Sequence, residues 1–181
     1  ATSNICTSQV LLAIMSSMYA IYHGPDNIRA IANNINNLCR QLSSSLKDGG
    51  IKVFYNNFFD TIRFKPKNNW EKLAHNEHYN FRMYQDGSIG ISIDENTGQK
   101  DIDKICNIFG VSKTNETSSY DFPKQLKRNS SYLEHDVFNK YHSETEMLRY
   151  IHKLETKDLS LNTSMIPLGS CTMKLNATAE M

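Results

Sequence analysis

Behind Gly24-Pro25 the chain sets Ile28, Ile31, Ile35, Leu38, Leu42 and Leu46 at intervals of 3, 4, 3, 4 and 4 residues. Only a helix gathers such a series on one face, because side chains three and four positions apart stack along the same side. Asn33, Asn34, Asn36 and Asn37 are expected on the wet side, and Gly49-Gly50 ends the run. A long one-sided helix must lay its stripe on something, so the neighbouring segments have to supply an apolar partner layer.

That layer is legible downstream. "IKVFY" (51–55) and "DTIRFK" (60–65) are β-branched and aromatic and are joined by Asn56-Asn57, which predicts two strands, the second closed by Pro66. "NWEKLAHNE" (69–77) predicts a short helix with Trp70, Leu73 and Ala74 inward. "NFRMYQ" (80–85) and "SIGISID" (88–94) alternate around Asp86-Gly87, a hairpin signature. Ile89, Ile91 and Ile93 share one face, and Gly90 on the other admits a close neighbour. A helix over 100–110 is expected to pack through Ile102, Ile105, Cys106 and Phe109. Residues 1–110 thus predict an open sheet covered by helices, an α+β or α/β sandwich.

Ahead of Gly24, "SQVLLAIMSSMYAIYH" (8–23) is apolar on almost every side. A helix of that kind is buried all round or sits at a domain interface. Its apolar run, Val10 to Tyr22, is too short to span a bilayer, is broken by Ser16 and Ser17, and has no charged signal-peptide segment before it. At the other end, 112–131 is poor in apolar anchors and reads as a linker or long loop. Ser143 and Glu146 then stand in capping-box spacing before an apolar face of Met147, Leu148, Ile151 and Leu154. The residues after this helix are too few to bury a core of their own. The helix is therefore expected to open a second unit that is left incomplete, and both ends read as cut.

The whole chain has 181 residues, 39% of them apolar, and a net charge of +1. There is no basic field of the kind that gathers nucleic acid. Cys6, Cys39, Cys106 and Cys171 make no CxxC pair, which argues against structural zinc and for a reduced, intracellular setting. Asn-x-Ser/Thr triplets at Asn115, Asn129, Asn162 and Asn176 read as chance matches in an Asn- and Ser-rich chain.

Four groups of residues could carry chemistry. In "SMIPLGSCTMKLNA" (164–177), Cys171 becomes a nucleophile only with a base, a cation or a helix start beside it, and Lys174 could serve. Spacing alone favours a Gly169 turn in which Ser170 and Thr172 satisfy backbone groups. Lys174 as a Schiff-base lysine for pyridoxal phosphate lacks any Gly-rich phosphate loop in this chain, and a solvated or anion-binding lysine is the favoured reading. Thr2, Ser3, Asn4 and Thr7 could hold a phosphate at a helix start, although capping accounts for them as well. His142 with Glu144 and Glu146 could bind a metal or move protons, but carboxylates at a helix N-terminus are the simpler account. His23, His75, His78, His135 and His152 form no pattern.

Taken in order, "ATSNICTSQVLLA", "YHGP", "FFDT", "NFR…DG.IGIS.DE", "VFN.YHSETEMLRY…LE.KDLSL" and "SMIPLGSCTMKLNA" resemble the P-protein family of the glycine cleavage system, the glycine decarboxylases. The resemblance runs over nearly the whole chain and is weakest at 112–131. It implies a pyridoxal-phosphate-dependent transferase of the aspartate aminotransferase type (fold type I), built from two related lobes. Residues 1–111 would end the first lobe, mostly its small α+β domain. Residues 112–131 would link the lobes, and 132–181 would start the second, catalytic lobe. The implied chemistry is decarboxylation of glycine on pyridoxal phosphate, with the aminomethyl group passed to the lipoyl arm of the H protein. The T and L proteins would be further partners, with no nucleic acid or membrane, and a homodimer is implied at full length.

The family's cofactor lysine follows a His-rich block that has no counterpart here, so Lys174 does not match it and the chain alone is expected to be inactive. Ser170, Cys171, Thr172, Lys174 and Asn176 are expected to line the glycine or lipoyl entrance, and Thr2, Ser3 and Asn4 to approach the neighbouring lobe's cofactor phosphate. Bacterial cytoplasm is the expected location, or the mitochondrial matrix in a eukaryote. The competing reading is a free-standing, non-catalytic α+β binding module.

Overall fold

The computed structural model describes residues 9–67, 69–115, 124–157 and 163. The chain divides into two compact units, Arg29–Asn129 and a second that joins Ala1–Ile28 to Ser130–Met181. Helix α1 (Gln9–Asp48) begins in the second unit and ends in the first, interrupted at Gly24.

The Arg29–Asn129 unit is built on the predicted stripe. Leu38, Leu42 and Leu46 of α1 are buried against the apolar face of a three-stranded antiparallel sheet. Its strands are β1 (Thr61–Phe64), β2 (Arg82–Met83) and β3 (Ile89–Ser92), in the order β1-β3-β2. β1 meets β3 with Ile62 opposite Ile91 and Phe64 opposite Ile89, which puts the apolar residues of both strands on one side. Helix α2 (Trp70–Asn76) connects β1 to β2, and α3 (Gln99–Phe109) comes after β3. Ile102, Ile105, Cys106 and Phe109 of α3 are buried as expected, and Ile108 joins them. Phe109 closes the core with an edge-on contact to Phe64 at 5.0 Å between ring centroids. The other sheet face carries Thr61, Arg63, Arg82 and Ser92, the one-sided pattern usual for antiparallel sheets.

Four expectations are corrected here. Segment 51–55 contributes a single bridge, Val53 to Phe64, in place of a strand. The N–H of Ile51 is already committed to the carbonyl of Leu46, closing the end of α1 around Gly50, and the Asn36 side chain holds the carbonyl of Phe59 at 2.6 Å. Both anchors draw the segment away from a second ladder. Asn36 is therefore buried rather than wet, and its oxygen accepts from Arg40 Nε at 2.7 Å. The strand expected over 80–85 is only Arg82–Met83, because Tyr79 and Phe81 turn toward the aromatic cluster of Trp70 and Phe109. Leu73 is 46% exposed, since α2 has two turns and lays only Trp70 and Ala74 on the core.

In the other unit, the helix ahead of Gly24 is not buried all round: Leu12 is 64% and Met15 58% exposed. Gly24 adopts φ 66°, ψ 178°, and Pro25 brings no N–H, so the helical ladder is broken there. Two side chains donate to carbonyls flanking the break. The Tyr132 hydroxyl donates to Pro25 O at 2.8 Å, and His142 Nδ1 donates to Tyr22 O at 2.7 Å. Helix α4 (Glu144–Glu155) starts with the expected capping box: Ser143 Oγ accepts from Glu146 N, and the Glu146 carboxylate accepts from Ser143 N, each at 3.3 Å. Met147 is buried, while Leu148 and Ile151 stay exposed. No helix among the described residues is long and apolar enough to cross a membrane.

Candidate functional site

Ser170, Cys171, Thr172, Lys174 and Asn176, with Thr2, Ser3 and Asn4, lie outside the described residues. The His142–Glu146 group is within them and is structural. His142 is turned to the helix break, Glu146 caps α4 and Glu144 occupies its first turn. Among the described residues no three His, Cys, Asp or Glu side chains gather as a metal site.

The structure does assemble a cleft of about 450 Å³ in the Arg29–Asn129 unit. It exists because β2 is so short. Beyond the Arg82–Gly90 pair, residues 79–81 part from β3, and the gap is walled by Ile91, Ile93 and Ile105 on the apolar side. Arg82, Asp94, Asn96, Thr97, Tyr79 and Asp101 supply the polar lining. Each acidic group there is already engaged. Asp94 Oδ1 accepts from Thr97 Oγ1 at 2.8 Å and from the amides of Asn96 and Thr97. Asp101 accepts the Tyr79 hydroxyl at 2.5 Å and Gly98 N–H at 2.8 Å, and these bonds hold its carboxyl below the usual range. Burial, with the bond to Asp101, pushes the Tyr79 phenol up to about 12. At neutral pH the pair is phenol and carboxylate, so the cleft can bind and orient but offers neither a free base nor a nucleophile.

The polar sheet face is ordered around Arg63. Its Nε donates to Ser88 Oγ and its Nη2 to Asp86 Oδ2, both at 2.8 Å, and its guanidinium lies 4.0 Å from the centre of the Tyr84 ring. Gly90 permits this: a Cβ there would stand 3.1 Å from the Tyr84 hydroxyl. The two bonds from Ser88 to Asp86, and then Arg63, keep the Asp86 carboxyl below its ordinary value. Arg63 and Arg82 face each other across Gly90 in the register. Strand alternation could have placed them there, but neither belongs to a motif with recognisable chemistry.

A third polar group is buried. Gln41 Nε2 donates to Thr114 O at 3.1 Å, Gln99 Nε2 donates to Gln41 Oε1 at 2.9 Å, and Thr114 N donates to Ser45 Oγ at 3.0 Å. These bonds tie the chain after α3 to α1 and leave no open face for a ligand. Nearby, burial pushes the Cys39 thiol up to about 12, which keeps it an inert core group.

Pyridoxal phosphate needs an amine within reach and a phosphate cradle. The 450 Å³ cleft, a second of about 580 Å³ beside Trp70 and His78 and a third of about 420 Å³ beside Arg63 and Tyr84 contain no lysine. A smaller hollow of about 120 Å³ does contain one, Lys104, but its ammonium is paired with Glu77 at 3.1 Å. None of these four hollows, as lined, offers both a free amine and a phosphate cradle.

Comparison with known proteins gives these features a family. The model of the glycine cleavage system P-protein matches residues 1–109. Similar curated proteins include the glycine dehydrogenase (decarboxylating) of Thermosynechococcus vestitus, 51% identical over 185 residues, covering 100% of this chain and 19% of that protein. The namesake from Nostoc punctiforme is 48% identical over 198 residues, and that from Pelagibacter ubique 48% over 189, each covering 100% of this chain and 20% of the relative. The chain thus spans about a fifth of the length of the curated relatives it matches. With the α+β unit in place and the family model covering more than half its length, the chain belongs to the glycine cleavage system P-protein family.

Proposed function

We propose that this chain serves as the part of a glycine dehydrogenase (decarboxylating) that contains the first lobe's small domain and the passage into the second lobe. The observation that carries this is identity near one half along 100% of the chain to enzymes of that name. On this reading residues 1–111 end the first lobe of a fold-type-I transferase, 112–131 form the link and 132–181 begin the second lobe. Glycine is the substrate, carbon dioxide leaves, and the aminomethyl group goes to the lipoyl group of the H protein, with the T and L proteins completing the system.

Pyridoxal phosphate supplies the electron sink when bound to the full-length enzyme; on this reading its lysine lies outside this chain, and the described residues serve another purpose. Their contribution is to hold form. The Arg29–Asn129 unit presents a rigid sheet whose polar face is fixed by Arg63, Asp86 and Tyr84. Ser170, Cys171, Thr172, Lys174 and Asn176 are assigned to the glycine or lipoyl entrance as polar contacts, and Thr2, Ser3 and Asn4 to the phosphate side. The support is their position in two of the blocks that resemble the family most closely. In the full-length enzyme, Ser170→Ala and Lys174→Ala are each expected to raise the KM for glycine or lower kcat about tenfold, equivalent to roughly 1.4 kcal/mol. Unchanged steady-state constants for both variants would remove these residues from the entrance.

A further inference from the structure

The ladder between β2 and β3 stops one pair early. Tyr84 N donates to Ser88 O at 2.9 Å, and Arg82 stands opposite Gly90. Pairs that exchange backbone bonds recur at every second residue of an antiparallel ladder, so the next would be Asn80 with Ser92. That pair is not made. Ile93 N donates to Asp60 O, on the β1 side. Backbone groups alternate in direction along a strand, so the N–H and C=O of Ser92 point the other way, into the 450 Å³ cleft. Neither has a partner among the described residues.

A single residue completes such a pair. It gives its own N–H to the opposite C=O and takes the opposite N–H on its own C=O. A free α-amino acid has both groups, each with a full charge. The direction of β3 fixes which charge goes where. An ammonium at Ser92 O lies on the Asp94 side, and a carboxylate at Ser92 N lies on the Arg82 side. Each charge meets its opposite there. Asp94 makes its bonds to Asn96 and Thr97 through Oδ1, which leaves Oδ2 open to the cleft. Arg82 has no carboxylate partner among the described residues, and its guanidinium lies 5.8 Å from the centre of the Tyr84 ring. A peptide placed here in mid-chain would present neither terminal charge and would leave both groups idle.

We propose that this cleft binds a free α-amino acid, held as a zwitterion between Arg82 and Asp94 on the unfinished edge of β3. Paired residues put their side chains on the same side of a sheet. The ligand's side chain therefore shares the face of Ser92, whose hydroxyl is bonded to that of Thr61 at 2.8 Å, and a small or polar one suits it. Ile91, Ile93 and Ile105 back the cleft, and an apolar wall strengthens the charge pairs by displacing water from beside them. The site binds and does no chemistry. It stands on the β3 edge and not on the reaction proposed above, so its test reads binding and not turnover.

Full-length protein is first reduced with borohydride, so that no imine to an added amine can form, and is then dialysed to equilibrium against radiolabelled L-alanine. Saturable binding is expected. Arg82→Gln and Asp94→Asn, both at exposed positions, should each weaken it at least tenfold without moving the urea midpoint. On the unaltered protein, N-acetyl-L-alanine and L-alaninamide each lack one charge and should compete at least tenfold more weakly than L-alanine. No saturable binding, as when other polypeptide fills the cleft, would overturn the proposal. So would binding indifferent to both substitutions, or equal competition by the one-charge analogues. Displacement of the label by an end-blocked alanine tripeptide more readily than by L-alanine would show a strand-adding peptide instead, and would also overturn it.

Discussion

Gly24 is the residue on which the Ala1–Ile28 and Ser130–Met181 unit turns. Its φ of 66° with ψ of 178° is open to glycine almost alone, and a Cβ would stand 2.7 Å from Phe138 O and 2.8 Å from the His142 ring. Gly24→Ala is therefore expected to cost about 2 kcal/mol or more, and to free the His142 bond to Tyr22 O. Faster amide exchange in residues 136–147 together with a lower urea midpoint would register it; an unchanged midpoint would contradict it. A stop at Gly24 is legible in the sequence, but the partners of the break are not, because Tyr132 and His142 come more than a hundred residues later. Tyr79 offers a pH test. Its folded value of about 12 stands above the ordinary 10, so its stabilising contribution is complete below pH 10 and is lost as pH rises toward 12. Tyr79→Phe is expected to flatten the fall in stability between pH 10 and 12, and to remove one late phenolate from the ultraviolet titration. A Tyr79 that ionises near 10 would contradict the bond to Asp101.

The elements whose signals are local were readable, and those set by distant partners were not. The α1 stripe, the hairpin around Gly87, the buried face of α3 and the Ser143 capping box all arise from spacing within ten or twenty residues, and each is present. The strand expected at 51–55 is reduced to the Val53–Phe64 bridge, with Phe54 N donating to Arg63 O at 2.9 Å, although Ile51 and Val53 are buried as alternation requires, because the Ile51 N–H is spent on closing the end of α1. Asn36 was misplaced for a related reason: helix periodicity puts it near the wet side, yet a loop carbonyl 23 residues away draws its amide inward. The chemistry-bearing blocks at 1–7 and 164–177 could be matched to a family, but spacing had no means of saying what faces them. For α4 the expectation is quantitative. Ser143→Ala removes the acceptor for Glu146 N and should destabilise the helix by about 1 kcal/mol. Exchange of the Glu144–Glu155 amides should quicken severalfold, while emission from Trp70, in the other unit, stays as it was. A wild-type exchange pattern in the variant would mean that the box does not hold the helix start.

The whole molecule is two different kinds of object. The Arg29–Asn129 unit has its own core, running from Leu38 to Val111 through β1 and β3. The other unit has Ile21 and Met147 as its buried apolar residues among those described, with a long uncharged helix face and Leu148 and Ile151 in the open. Under the proposed function, the first unit would be a small domain and the open apolar face of the second would belong to a larger enzyme. That expectation bears directly on activity. Full-length protein carrying this segment, given pyridoxal phosphate, lipoylated H protein and carboxyl-labelled glycine, should release labelled carbon dioxide. Residues 1–181 alone under the same conditions should release none and should show no imine that borohydride traps on a lysine. Failure of the full-length protein to release label, or release by the 181-residue chain in proportion to its amount, would contradict the assignment.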